Sequence, residues 1–290
     1  MAPDDGSPNP KPQALPMLRA MDPTGWWLIR HPDHARLAGE FAAHWGNRLF
    51  HAPEPRPDVL EGIRRHDDGW AGRDAQPFLT RQGKPSAFGA DLVGRYTAFE
   101  EIDLPEYLAV RGRALETVAA ENPYAAILIS MHTCNLLTEH ADRSTIRPDQ
   151  LPLLDAFIEG QRRRQGELRG ACLAPGTFQP RDLAPGTLDA HFRLLQACDN
   201  LSLLACVDFE GPATLLHPLP TRDGGLGTVD VQRLGTRTFR LTPWPLDVPM
   251  LRCSIPARHV AGHVFDDVQQ LRDLHAAAPE ASLEVVVTRD

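Results

Sequence analysis

The chain has 290 residues, 42% of them hydrophobic, enough to bury a sizeable core in one large domain or two small ones. Its formal net charge of -8 lacks the basic excess of a nucleic-acid binder, and no stretch approaches the ~20 apolar residues of a membrane span. The N-terminal MAPDDGSPNPKPQALP has neither the basic start nor the apolar middle of a secretory signal, and the five cysteines are scattered without a CxxC pair, so a cytoplasmic protein with reduced thiols is expected.

Residues 1 to 20 are expected to form a disordered tail, because Pro, Asp, Gly and Ser bury little there. Trp26-Trp27-Leu28-Ile29 reads as a strand and His31-Pro32-Asp33 as a turn, with Asp33 capping a helix from His34. On that helix His34, Leu37, Phe41 and Trp45 recur at spacings of three and four, a core-facing stripe. Asp58 is expected to cap a second helix, on which His66 and Asp67 of RHDDGW follow Val59, Leu60 and Ile63 on the apolar face. Residues 71 to 104 read as a long loop with short helical turns. Helices are expected over Pro105–Ala120 and from Tyr124 to Thr138, the latter opened by Pro123 and carrying Tyr124, Ile127, Leu128, Met131 and His132 on its buried stripe.

Leu151–Arg169 reads as an amphipathic helix with a charged outer face. The pentapeptide LAPGT at Leu173 and Leu183 reads as a turn both times. Leu188–Val207 has the longest apolar period, with Leu188, His191, Leu195 and Asp199 on its stripe. After residue 208 the texture changes: Thr238–Leu241, Met250–Ile255 and Leu283–Val287 look like strands, and Phe265–Ala278 like a helix among them. The expected fold is mainly α, of the α+β class: one domain over 21–290, with a helical core over 21–207. Residues 208–290, joined by the Trp26 strand, add a small antiparallel sheet packed on that core.

Four helices thus place metal-ligand residue types on core-facing stripes: His34, His66 with Asp67, His132, and Asp199. Buried polar groups need partners, and a shared cation in the interior satisfies all five together. Imidazole plus carboxylate suits one or two divalent transition metals such as Fe, Mn, Zn, Ni or Co. Adjacent His66 and Asp67 can reach one ion or two, and Asp67 can bridge a pair.

The order His34, His66-Asp67, Asp199 resembles the HD-domain superfamily of metal-dependent enzymes, and His132 resembles the added histidine of its two-metal members. More narrowly, DHARLAGEFAAHWG, HDDGW, SMHTCNLL and HFRLLQACDNLSLLAC resemble an uncharacterised bacterial family, domain of unknown function 3891, over most of residues 26 to 207. The superfamily resemblance implies an HD-type helical bundle that hydrolyses phosphate esters with metal-activated water, or, in a smaller branch, a di-iron oxygenase. Many superfamily members carry a lysine three residues after the HD aspartate. Trp70 stands there, so a phosphate clamp is sought among Arg64, Arg65, Arg163 and Arg164.

The expected function is metal-dependent hydrolysis of a small phosphorylated or polar substrate. A di-iron oxygenase and a non-catalytic metal-binding or sensor protein are the alternatives. Asp68 and His191 are the candidate catalytic groups; Trp70, Arg163 and Arg164 are the candidate substrate contacts. A small-molecule substrate is the expected partner, with neither nucleic acid nor membrane, and a homodimer is left open.

Overall fold

The structure, a computed structural model, describes residues 17–100, 102–174 and 176–290. The expected tail lies outside the described residues up to position 16, but its last residues are structured, because Leu18 opens strand β1 (Leu18–Asp22). β1 pairs antiparallel with β2 (Gly25–Ile29). The Asp22 carboxylate closes the hairpin by accepting from the amides of Thr24 and Gly25.

β2 runs directly into helix α1 (His31–Ala43), so the HPD segment is helical rather than a turn. Pro32 stands in the first turn, where no amide bond is lost. Asp33 is therefore not the cap; it sits in the first turn and pairs with Arg30 and Arg36. Helix α2 (Arg56–Arg65) also opens on a proline, and its Asp58 accepts from Asn122 instead of capping. Helices α3 (Leu104–Ala119) and α4 (Pro123–Glu139) are capped by Asp103 and Asn122. Helix α5 (Leu151–Leu173) lies on α4, and α6 (Pro185–Cys206) lies on α1 and α4. The second LAPGT is the start of α6, with Pro185 in its first turn.

The sheet overturns the expected architecture. Strands β3 (Ala213–Thr214), β6 (Asp230–Gly235), β7 (Thr238–Thr242), β8 (Met250–Ala261) and β9 (Glu280–Thr288) join β1 and β2 in the order β1-β2-β8-β9-β7-β6-β3. A separate hairpin is formed by β4 (Leu219–Pro220) and β5 (Leu226–Gly227), and α7 (Val268–Ala277) connects β8 to β9. The β7–β9 pairing is parallel and the others are antiparallel. Among the described residues this is a large, curled seven-stranded sheet beside seven helices, an α/β fold and not a helical bundle with a small sheet.

The cause lies in β8, which is twice the expected length. Its second half holds Pro256, Arg258 and His259, which hide the alternation, yet it pairs with β9 on one side and β2 on the other. α1 packs against β8, so the sheet fixes where α1 starts. No described helix is long and apolar enough to cross a membrane.

One ion pair ties the end of α6 to the sheet. Asp208 follows the helix in the left-handed region, at φ +50. Its carboxylate accepts from Arg233 of β6 at 2.8 and 3.0 Å and from the Arg237 amide at 2.8 Å. Burial alone would raise this carboxyl's pKa, but Arg233 and the Arg237 amide outweigh it and hold the value low. A depressed folded pKa stabilises above the unfolded value of about 3.9, and that contribution fades as pH falls through the folded value. Asp208→Asn should therefore cost about 1–2 kcal/mol at neutral pH. In urea melts the difference from wild type should shrink in acid; an equal difference at all pH values would remove the ion pair from the account.

Candidate metal centre

Helix α2 stops at Arg65. His66 is still helical, at φ -59, while Asp67 leaves the helix at φ -120 and ψ 15. A short 3₁₀ turn, Asp68–Trp70, follows. His66 and Asp67 are thus at a helix break, not on the helix face the period suggested, and both turn inward. Gly69 makes the break compatible with α3: a Cβ there would lie 2.5 Å from the Ala114 Cβ and 3.2 Å from the Val110 carbonyl.

The break faces His34 of α1, His132 of α4 and Asp199 of α6, all five side chains being buried. His34 Nε2 lies 3.1 Å from Asp67 Oδ2, and His66 Nε2 lies 3.3 Å from Asp199 Oδ1 and 3.8 Å from Asp67 Oδ2. Two overlapping groups result, His34–His66–Asp67 and His66–His132–Asp199, each with its ligand atoms within 4.8 Å of one another.

Each imidazole is held by its other nitrogen. His66 Nδ1 lies 2.8 Å from the Ile63 carbonyl, which can only accept. Ser202 Oγ donates to the Asp199 carbonyl, so it accepts from His34 Nδ1 at 2.9 Å. His132 Nδ1 meets Gln196 Oε1, the oxygen of an amide whose nitrogen donates to Asn135. Each Nδ1 therefore donates, which turns the three Nε2 atoms toward the carboxylates, the orientation of metal-ligating histidines. Arg111 of α3 donates to Asp67 Oδ1 while its guanidinium lies 5.1 Å over Trp70 and 5.4 Å over Tyr107.

Burial disfavours every charge here, and the balance differs by residue. For Asp67 it is overcome by Arg111 and His66, which hold the carboxyl well below its ordinary range. For Asp199 it is overcome chiefly by His66. Burial wins at His132, pushing it down to about 4, and lowers His34 as well. At His66 the charges of Asp67 and Asp199 overcome burial and raise the value to about 9.

Two carboxylates against one arginine leave the cluster short of one positive charge. A proton on His66 supplies it, yet His66 Nε2 is a buried atom without an aligned hydrogen bond. A divalent ion supplies the charge and satisfies that atom. An ion about 2.1 Å from each donor keeps neighbouring donors about 3.0–3.4 Å apart. The separations of 3.1 and 3.3 Å, one in each group, lie in that range and the 3.8 Å between His66 Nε2 and Asp67 Oδ2 exceeds it, so the two groups could hold a metal after a small closure.

The model of a family described as protein of unknown function, DUF3891, matches residues 17–262, which include all five of these residues. The chain belongs to the DUF3891 family. No curated protein and no solved structure matches it.

The DUF3891 match spans the other sequence candidates too, and the structure places them apart from the five. Asp68 accepts from Arg65 at the outer side of the break. Arg163 and Arg164 lie on the exposed face of α5, paired with Glu159 and with Glu116 and Glu167. Arg64 pairs with Glu40, and Arg65 with Glu61 and Glu121. The reason is common to these arginines: a charged helix face finds carboxylates at the surface before it finds a pocket. His191 hydrogen-bonds Tyr124 and lines a different cavity. Trp70 is buried against Arg111, with the His31 ring 5.4 Å away. His31 is mostly buried, its side chain 12% exposed, because the buried Asp74 accepts from its backbone amide and touches its ring.

Sequence reasoning missed Arg111, Gln196 and Asp74. Arg111 was detectable, since it falls one turn after Tyr107 on the buried stripe of α3.

Removing Asp67 strands Arg111 as an uncompensated buried charge, which costs about 3–5 kcal/mol. Asp67→Ala should therefore be strongly destabilised in denaturant melts, and Arg111→Met added to it should recover a good part. Additive losses in the double variant would show that the two side chains are not coupled.

Proposed function

We propose that this DUF3891 protein is a metal-dependent hydrolase of the HD-domain type, acting on a small phosphorylated or otherwise polar substrate. The observation that carries the reading is the set of three imidazoles, each fixed through Nδ1 so that Nε2 is free to meet two buried carboxylates. The His34 and His66 side chains are 1% and 0% exposed and Asp67 and Asp199 7% and 11%, so the carboxylate side is the less enclosed side of a buried group.

A divalent ion bound there supplies Lewis acidity, which lowers the pKa of water and polarises a phosphoryl or carbonyl oxygen. The chain does the rest. His34, His66 and Asp67, with His132 and Asp199 completing the overlapping group, would hold the ion, while Ser202, Ile63 and Gln196 fix the imidazole orientations. Arg111 holds Asp67 Oδ1 and so turns Oδ2 inward. Asp199, the more exposed carboxylate, is the group placed to take a proton at the less enclosed side.

The test is phosphate release from a panel of small phosphomonoesters by manganese-loaded protein. Wild type should turn over at least one ester, and His66→Gln should lose at least a hundredfold, in the range seen when one essential group is removed. Turnover unchanged in His66→Gln would sink the assignment. Oxygen consumption with two irons per chain would replace the hydrolase by the oxygenase.

A further inference from the structure

The second cavity of the fold lies away from the metal centre, between the loop after α1 and the start of α6. It has a volume of about 440 Å³. Its walls are apolar: Trp45, Pro53, Leu194, Leu219 and Pro220, with His191 as the buried polar group among them. His51 and Glu54 also line it but are solvent-exposed.

His191 is only 7% exposed, and its protonation is dictated by its neighbour. The Tyr124 hydroxyl donates to the Asp182 carbonyl at 3.0 Å, so its single proton is used. Its oxygen then accepts from His191 Nδ1, 2.8 Å away. The Nδ1–H tautomer is thereby fixed, and Nε2 is left as a lone pair. That atom has no hydrogen-bond partner among the described residues, yet it is not sealed in the protein interior, so it opens on the cavity. Burial keeps the ring neutral, which agrees with an acceptor there.

A concave apolar chamber with one oriented polar atom has the form of a small-molecule site. An organic molecule with one donor answers both features.

We propose that this cavity is a second ligand site, distinct from the metal centre, which takes a compact flat apolar molecule bearing one hydrogen-bond donor, of the phenol class. The aromatic body lies against Trp45 and the leucine and proline walls. The hydroxyl donates to His191 Nε2. The metal centre plays no part in this recognition, so the site stands whether or not the hydrolase reading holds.

The two sites share a scaffold. Tyr124 and His132 are on α4, and His191 and Asp199 are on α6, eight residues apart in each case and so about 12 Å along the helix.

The experiment is a calorimetric titration of the full-length protein with phenol and with anisole, its O-methyl ether, which keeps the ring and lacks the donor. Phenol should bind saturably at one site, and anisole roughly five- to tenfold more weakly, the worth of one neutral hydrogen bond. Ala190 lines the same cavity and is half-buried, so Ala190→Phe fills the space without opening the core. It should abolish phenol binding while leaving the melting temperature close to wild type. His191→Leu should bring phenol down to the level of anisole. The proposal is overturned if neither compound saturates, if the two bind equally to wild type, or if folded Ala190→Phe binds phenol as wild type does.

Discussion

Two buried carboxylates, Asp67 and Asp199, meet one buried arginine, Arg111, and the rest of the centre is arranged around that imbalance. Leaving a carboxylate without a counter-charge in an interior is costly. Arg111 answers half of the charge and is itself held between the rings of Trp70 and Tyr107. The other half falls on the imidazole side, where His66 is raised to about 9 while His132 is lowered to about 4. His66, 3.3 Å from Asp199 and 3.8 Å from Asp67, is raised by their charges, whereas burial and the charge of His66 outweigh the same carboxylates at His34 and His132. This is a charge pattern that a bound cation could balance.

The fold supplies the positions. The sheet orients β2, β2 delivers α1, and α1 carries His34 to a place where Ser202 of α6 can fix its tautomer. The break after α2 lets two consecutive residues both face inward, which a continuing helix would not do. Gly69 then allows α3 to close on the break, and that closure brings Arg111 to Asp67. A chain of short-range causes therefore links the glycine and the tryptophan of HDDGW to the charge state of the aspartate beside them.

Much of this was legible in the sequence, and the failures have physical reasons. The helices announced themselves through stripes such as Leu188, Leu195 and Asp199, and opening prolines marked where α4 starts. His34, His132 and Asp199 stood out because a histidine or aspartate on an apolar stripe demands a partner, while His66 and Asp67 come inward through the helix break instead. The sheet was underestimated because Pro256, Arg258 and His259 obscure half of β8, and because the outward residues of β6 are polar. The start of α1 was misjudged because HPD looks like a turn until Pro32 is seen in a first turn. Arg163 and Arg164 were attractive as anion binders only while their surface glutamates were out of sight. His191 drew attention rightly as a buried histidine, but its stripe position could not tell that Tyr124 would turn it toward a separate cavity.

The most direct test of the central claim is the metal content per chain of protein purified without chelator, read by elemental analysis beside an Arg111→Met variant. The charge argument predicts close to one divalent transition ion per wild-type chain, retained through dialysis. Chains that stay empty after incubation with manganese, zinc, cobalt, nickel and ferrous iron would contradict it, leaving His66 and Asp67 as a hydrogen-bonded core motif.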